Sequence, residues 1–500
     1  MNYFLGIDIG GTTTIAAIYD QGGREIAISK AATETTVRHA GYAERDMELM
    51  WQTICTLISE VIERSGVDPA AIACVACCGH GKGLYLWGND DKPAYQGICS
   101  TDARAEQYLV KWRASGVEKE VFALSKQHIL ACQPVSLLAW MKDHTPEVLA
   151  RTQYIFGCKD YVRFRLTGVA TLERTDASGS NLINLETLTY DPALLRLFGL
   201  EECLEKLPPL VSSVDICGTV TDDVAKATGL AAGTPVAGGA FDIDACAVTA
   251  KVFDDTHVCM IAGTWSINEY VAKAPITDGS VLMNSCFCIP NTYLIEESSP
   301  TSAGNLEWYV TNLLSTVSPE FRGAKAARYA HLDGWVKELP PDAPCPIFLP
   351  FVLGRYAGSS ARGSFVGIEK THTHQHMVKA IFEGIALSHR WHYQRLLRSM
   401  PSPPKAIRLV GGVGNSTVWT EIFAHVMNKP IEVMAAREAG TLGCAIIGAA
   451  AVATYPSLQA AADAMSKIEY TIHPDGDLVQ YYDGRFTAFN KILDALDPVW

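Results

Sequence analysis

Asp8 is followed by Ile9, two glycines and three threonines, Gly10-Gly11-Thr12-Thr13-Thr14. Glycine amides and threonine hydroxyls at that density are donors suited to phosphate oxygens, and a carboxylate at the end of the preceding apolar run can hold a hydrated cation. The stretch is not a Walker loop, because no Gly-Lys-Ser/Thr follows. An ordinary glycine-rich hairpin is the competing reading. A second candidate is GHGKG, residues 79–83, where three glycines let the backbone approach a ligand and His80, Gly81 and Lys82 face the space beyond a strand's end. His80 and Lys82 can hydrogen-bond a polyol or a phosphate; a glycine turn with a solvated lysine is the plainer account. Asp102 and Arg104 are read as opening the next helix, so Asp102 is either a dipole-favoured cap or a substrate contact.

Three further stretches carry chemistry. In TPVAGGAFDIDA, Asp242 stands just past a glycine-broken strand, well placed to accept a proton from a hydroxyl, with Asp244 two residues on. Capping of the following helix explains one of these aspartates equally well. In CMIAGTWS, Gly263, Thr264 and Ser266 repeat the chemistry of Gly11, Thr12 and Thr14 half a chain later, which suggests an internal duplication. In LVGGVGNS, the turn of Gly411, Gly412 and Ser416 between a strand and a helix can pass beneath an adenine or cradle a phosphate.

The elements that must position these residues follow from periodicity. Leu5 to Asp20 reads as strand, tight turn, strand, and REIAIS as a third strand. Met47, Met50, Trp51, Ile54, Leu57, Ile58, Val61 and Ile62 recur at three- and four-residue intervals, a helix with one buried face, before the strand Ile72 to Cys78. Strands, helix, strand is the order of a mixed α/β layer structure. THVCMIAGTWSINEYV restarts the plan, SPTSAGNLEWYV reads as a capped helix, and a long amphipathic helix is expected from His376 to Met400. EAGTLGCAIIGAAAVAT reads as a small-residue helix packed closely on a sheet.

Composition narrows the function. The 500 residues are 48% hydrophobic and 19% charged, an ordinary soluble composition long enough for two large lobes. A net charge of −13 with no lysine or arginine run argues against a nucleic-acid surface and for a small-molecule partner. No signal peptide and no membrane-length apolar run are seen, so a cytoplasmic enzyme is expected. Fifteen scattered cysteines fit reduced buried thiols, including the Cys74/Cys77 pair within an apolar strand. His372, His374 and His376 are read as a solvated loop rather than a metal site.

Taken together, IDIGGTTT, AERDMELMW, GHGKG, AGGAFD, AGTWS, SPTSAGNLEW, ARGSFVGI, GGVGNSTVW and EAGTLGCAIIGA resemble, in order and spacing, the FGGY carbohydrate kinases, and within them most closely the L-xylulose and related pentulose kinases. The resemblance implies an α/β chain of two ribonuclease H-like domains, as in actin, hexokinase and the heat-shock chaperone ATPase, flanking a catalytic cleft. It divides the chain into residues 1–246, with the sugar site and first phosphate hairpin, and 247–500, with the second hairpin and adenine site. It implies ATP and Mg2+ as cofactors, Asp8 at the magnesium, Gly11, Thr12 and Thr13 at the β- and γ-phosphates, and Gly263 and Thr264 as the second phosphate hairpin. Gly411, Gly412 and Ser416 would border the adenosine, and Asp242 would be the general base. D-xylulose kinases have Met-His where this chain has Gly81 and Lys82, and glycerol kinases have Arg-Glu in that loop, which argues against glycerol. The expected activity is phosphorylation of the terminal hydroxyl of a ketopentose, L-xylulose first, with another pentulose or a tetritol as the alternative. A non-catalytic sugar sensor and an actin-like or chaperone ATPase on the same fold are the competing classes. A homodimer is the assembly kept open.

Overall fold

Alternating small and branched apolar residues on either side of Gly10-Gly11 fold as the expected hairpin: β1 (Tyr3–Ile9) and β2 (Thr13–Asp20) pair antiparallel from Tyr3 opposite Asp20 to Ile9 opposite Thr14. β3 (Glu25–Ala32) continues the meander. The computed structural model describes residues 2–263, 265–352, 354 and 360–500. α1 (Met47–Ser65) buries the periodic face from Met47 to Val61, and Asp46 starts it by accepting the amides of Glu48 and Leu49, each at 2.9 Å. β4 (Ile72–Gly79) returns parallel to β1, placing Cys78 beside Asp8.

Later come α2 (Cys158–Thr167), β5 (Ile216–Thr219), β6 (Pro235–Ala237), β7 (Ala240–Phe241) and α3 (Asp242–Thr249). The sheet order is β5-β6-β4-β1-β2-β3, with β7 also paired to β4. Beyond it lie β8 (His257–Ala262), β9 (Ser266–Ala272), α4 (His374–Ser399), β10 (Ala406–Val410), α5 (Thr417–Met427), β11 (Ile431–Met434), α6 (Ala439–Ala451) and β12 (Ile468–Ile472).

Two compact units result. The first takes the chain up to Phe253 together with Val271–Ile295 and Glu438–Ser466; the second takes Asp254–Tyr270, Glu296–Arg437 and Lys467–Trp500. Each unit repeats one strand plan. In the first, β2 is antiparallel to β1, β4 parallel to β1, β6 parallel to β4, and β5 antiparallel to β6. In the second, β9 is antiparallel to β8, β10 parallel to β8, β11 parallel to β10, and β12 antiparallel to β11. This is ribonuclease H-like order, so the short echo between Gly11 and Gly263 belongs to a repeat of whole sheets.

Several local expectations need correction. The helix expected to open at Asp102 begins at Glu106, so Asp102 does not cap it. His374 and His376 lie in the first turn of α4, not in a solvated loop, and His376 Nδ1 accepts the Thr373 amide at 3.3 Å. The helix in SPTSAGNLEW, Gly304–Tyr309, has no side-chain cap. In the glycine-rich loop after Leu349, Leu353 and residues 355–359 lie outside the described residues. All fifteen cysteines are free, and Cys74 and Cys77 are buried in β4 as read. Among the described residues no helix is long and apolar enough to cross a membrane.

α6 is the small-residue helix read from EAGTLGCAIIGA, and it belongs to the first unit. It lies against β1, β4 and α3, and its separations from β1 and α3 are ones only glycine allows. A Cβ on Gly6 would fall 2.0 Å from the Thr441 carbonyl oxygen, and one on Gly443 would fall 2.1 Å from the Ala245 carbonyl oxygen. Thr249 Oγ1 adds a bond to the Ala439 carbonyl at 2.7 Å, and Tyr19 and Thr441 hydroxyls meet at 2.7 Å. Because the obstructing atoms are backbone, Gly443→Ala is expected to destabilise the first unit by about 1–3 kcal/mol despite alanine's better helix propensity. Equilibrium urea unfolding checks this: an unchanged midpoint would show that the helices separate freely.

Candidate active site

At the tip between β1 and β2 the backbone carbonyls are taken up by the protein. Thr33 N–H donates to Thr12 O at 2.9 Å, and the buried Arg45 donates to Gly11 O at 3.3 Å and Gly10 O at 3.5 Å. Gly11 and Thr12 are exposed, and nothing lies within 4 Å of where a Gly11 Cβ would stand. The amides of Gly11 and Thr12 have no hydrogen-bond partner among the described residues. The tip is thus braced from behind, with donors at its front suited to an anion.

Asp8 stands one residue before the end of β1. Its Oδ1 is inaccessible and unbonded, and burial, with help from the charge of Glu438, pushes its carboxyl up to about 7; the Cys78 thiol opposes this by hydrogen bonding. A carboxylate so poorly satisfied by protein groups fits a hard cation, whose charge would offset the cost of ionising it there. Among the described residues no cluster of three acidic, histidine or cysteine side chains could chelate a metal, so such a cation would draw its other oxygens from water or phosphate. Gly440, at the start of α6, borders this carboxylate: a Cβ there would lie 2.4 Å from Asp8 Oδ2.

Asp242 opens α3 directly after β7. Gly239, at φ 76, makes the break before it, and a Cβ there would lie 1.9 Å from Cys77 O. Asp242 remains partly accessible, whereas Asp244 is fully buried, so of the two only Asp242 can meet a ligand. Its Oδ1 accepts the Ile243 amide at 2.8 Å. Burial and then the charge of Asp8 raise its pKa well above the usual range, while Lys82 and the Ile243 amide work the other way. A carboxylate with raised proton affinity at a ligand-accessible strand end can act as a general base.

The strand end carrying Asp242 is held by a buried ionic network that the sequence reading passed over. Phe241 N–H donates to Thr175 Oγ1 at 2.9 Å, and Thr175 Oγ1 donates to Glu173 Oε2 at 2.5 Å. Glu173 also accepts Ser213 Oγ at 2.9 Å and lies 3.4 Å from Lys159 Nζ. Lys159 faces Asp160 at 3.2 Å and Asp176 at 3.5 Å as well, and Arg163 joins Asp160 at 2.7 Å to the Gly238 carbonyl at 2.6 Å. Burial lifts Asp176 to about 6 against the pull of Lys159. The available signal was KDYVR, in which Lys159, Asp160 and Arg163 stand in a short helix among Cys158, Tyr161, Val162, Phe164 and Leu166.

His80 does not serve as expected. Its Nε2 bonds the Tyr85 hydroxyl at 2.9 Å, its Nδ1 faces Gly81 O at 3.3 Å, and burial lowers its pKa to about 3, so it is a neutral ring with both nitrogens occupied. Gly81 packs under Phe241, whose ring would lie 2.4 Å from a Cβ there. Asp102 is likewise committed: its oxygens accept the Ala43 amide at 2.7 Å and bind Arg104 at 2.8 and 2.9 Å, and Arg104 reaches on to Glu44 at 2.8 Å. It is part of an internal ion cluster, not an available substrate ligand.

In the second unit, Gly411, Gly414, Asn415 and Thr417 line a cavity of about 250 Å³ with Val433 to Arg437, Glu469 and Tyr470. Gly411 adopts φ 97 beneath Ala262, and Gly412 begins the tight turn that follows. Ser416 does not line the cavity; its hydroxyl accepts the Trp419 amide at 3.1 Å, capping α5, and donates to Asp333 at 2.7 Å. Gly263 closes the β8–β9 turn, its carbonyl accepting the Ala303 amide at 2.9 Å. Thr264 lies outside the described residues. A surface depression of about 960 Å³ around Trp87, Pro93 and Arg165 contains none of the predicted site residues.

Comparison with known proteins is consistent with this geometry. Residues 3–249 match the model of the N-terminal domain of the FGGY family of carbohydrate kinases, and residues 258–452 match that of its C-terminal domain. A probable L-xylulose kinase of Pasteurella multocida is 36% identical over 89% of this chain and 90% of its own. An L-xylulose/3-keto-L-gulonate kinase of Escherichia coli is 32% identical over 99% and 97%. The crystal structure of a xylulose kinase from Rhodospirillum rubrum superposes with a TM-score of 0.85 over 100% of this chain and 99% of that one, at 24% identity, and shares its fold.

The contact between Gly440 and Asp8 is directly testable. In Gly440→Ala the methyl must displace the carboxylate, while the alanine's helix propensity offsets part of the crowding. The variant is expected to remain folded by circular dichroism yet to require ten-fold or more divalent cation for half-maximal phosphorylation, with the acceptor KM within three-fold of wild type. An unchanged cation requirement would show that Asp8 accommodates the methyl without loss.

Proposed function

Since the chain belongs to the FGGY family of carbohydrate kinases, we propose that it transfers the γ-phosphate of ATP to the terminal hydroxyl of a ketopentose, with L-xylulose the first acceptor to test. The observation that carries this reading is Asp242: an accessible carboxylate of raised proton affinity, fixed at a strand end in the field of Asp8 and Lys82.

Phosphoryl transfer asks for in-line positioning and charge neutralisation more than for covalent chemistry. Gly11, Thr12 and Thr13 supply amides and hydroxyls to the phosphates, and Gly263 marks the equivalent turn in the second unit. The cavity beside Gly411 and Gly412 takes the adenosine, with Thr417 in place of Ser416 among its polar lining. Asp8 is the residue to hold Mg2+, which when bound neutralises phosphate charge. Asp242 orients the acceptor hydroxyl and takes its proton as the oxygen bonds to the γ-phosphorus; the bond from that phosphorus to the bridging oxygen breaks, and ADP leaves with the electron pair. The network of Thr175, Glu173 and Lys159 holds the base in place, and Arg45 holds the hairpin.

Asp242→Ala is expected to lower kcat by about 10²–10⁴-fold, the usual contribution of a general base, while ATP binding measured by fluorescence titration stays within a few-fold of wild type. Near wild-type turnover in this variant would overturn the assignment. ATP hydrolysis that no ketose stimulates would instead favour a chaperone-type ATPase.

A further inference from the structure

Among the described residues three arginines are buried, and two of them are ion-paired. Arg104 meets Asp102 and Glu44, each at 2.8 Å, and Arg163 meets Asp160 at 2.7 Å. Arg45 differs. It is only 2% exposed, its Nε has no partner, and among the described residues no carboxylate lies within 4 Å of its guanidinium. The acids on either side of it in the chain are committed elsewhere: Glu44 accepts Arg104 and the Tyr95 hydroxyl, and Asp46 accepts the Glu48 and Leu49 amides. The ionisable groups that face it are His80, Tyr85, Cys99 and Cys158. Burial keeps all four neutral, raising the phenol and both thiols, Cys158 to about 12, and lowering His80 to about 3. A guanidinium taken out of water with no counter-charge is costly, so some other gain must account for it.

Its hydrogen bonds show where that gain lies. Arg45 donates to Gly10 O at 3.5 Å and to Gly11 O at 3.3 Å, and its Nη1 to Met50 Sδ at 3.8 Å. The Gly10 carbonyl shares a peptide unit with the Gly11 amide, and the Gly11 carbonyl shares one with the Thr12 amide. In a trans peptide the oxygen and the hydrogen point in opposite directions. The amides of Gly11 and Thr12 are the two left without a partner at the tip. A cation that draws electron density onto the carbonyl oxygens leaves the N–H ends more positive, and the low dielectric behind the hairpin preserves its field.

We propose that Arg45 is a positioning residue for the phosphate chain that works by charge: it polarises the Gly10–Gly11 and Gly11–Thr12 peptides toward the anion, which supplies the counter-charge the protein withholds. The inference rests on the kinase reading above and deepens it. A braced hairpin needs only a neutral donor behind it, whereas this role needs a cation. The two roles also differ in sign. Losing a brace lowers the stability of the ligand-free protein, but replacing an unpaired buried charge with an apolar side chain of similar length leaves that stability equal or higher.

Full-length wild type, Arg45→Met and Arg45→Lys are compared by equilibrium urea unfolding without ligand and by titration with ATP and with AMP. Arg45→Met is expected to unfold at a urea midpoint no lower than that of wild type. It should bind ATP about 10–100-fold more weakly, the range for loss of a hydrogen bond to a charged group, and AMP within two-fold of wild type. Arg45→Lys, which keeps the charge, should recover most of the ATP affinity. A lowered midpoint or failure to fold in Arg45→Met would show a structural brace and overturn the proposal. So would an unchanged ATP affinity in Arg45→Met, or a loss as large in Arg45→Lys as in Arg45→Met. Because the readout is binding, each of these outcomes leaves the kinase reading standing, whereas wild type that binds no ATP would overturn both.

Discussion

The close approach of α6 to β1 and α3 fixes where Asp8 and Asp242 stand. Gly440 meets the Asp8 carboxylate, Gly6 meets the Thr441 backbone, and Gly443 meets the Ala245 backbone, so one helix gauges both the strand that ends at Asp8 and the helix that begins at Asp242. Protein interiors resist compression, and backbone against backbone resists most, because no side-chain rotamer can absorb an error. The two carboxylates are therefore related to each other through a rigid third element as well as through the sheet.

A second constraint works by charge. Lys159, Asp160, Arg163, Glu173 and Asp176 are buried together, an arrangement that is costly unless every member is paired. The ties from this cluster to Gly238 O and, through Thr175, to Phe241 N fix both sides of the glycine break. Directional bonds can hold a strand end that is too short to be held by a ladder, since β7 spans only Ala240–Phe241. Hydrophobic packing supplies the bulk of the unit's stability, and the ionic cluster supplies the orientation.

What the sequence made legible was periodic or composed of glycine. The hairpin, α1, the repeat of strand plans and the small-residue helix were readable because each rests on spacing along the chain. Residues whose role depends on which group takes up their polar atoms were misread. His80 and Asp102 looked available, but a turn carries the Tyr85 hydroxyl to the one, and the other is taken up by neighbouring Arg104 and by the Ala43 amide from far off in sequence. Ser416 sits in a glycine turn of the expected kind, but its hydroxyl is drawn to Asp333, far off in sequence. Gly440 could be recognised as a packing residue, whereas its contact with Asp8 could not be read from either segment alone.

The placement of α6 also bears on how the chain is made. Residue 439 follows Asp8 by more than four hundred positions, and the intervening stretch contains most of the second unit. At about 5–20 residues per second, synthesis leaves roughly 20–90 s between the emergence of β1 and that of the helix that covers it. During that interval the second sheet has most of its strands and can form, while the first presents an uncovered face over β1 and β4. The unit whose sequence begins first is thus completed only after most of the other has been made, and the glycines that permit so close a dock are also what leave a bare backbone groove waiting for the helix.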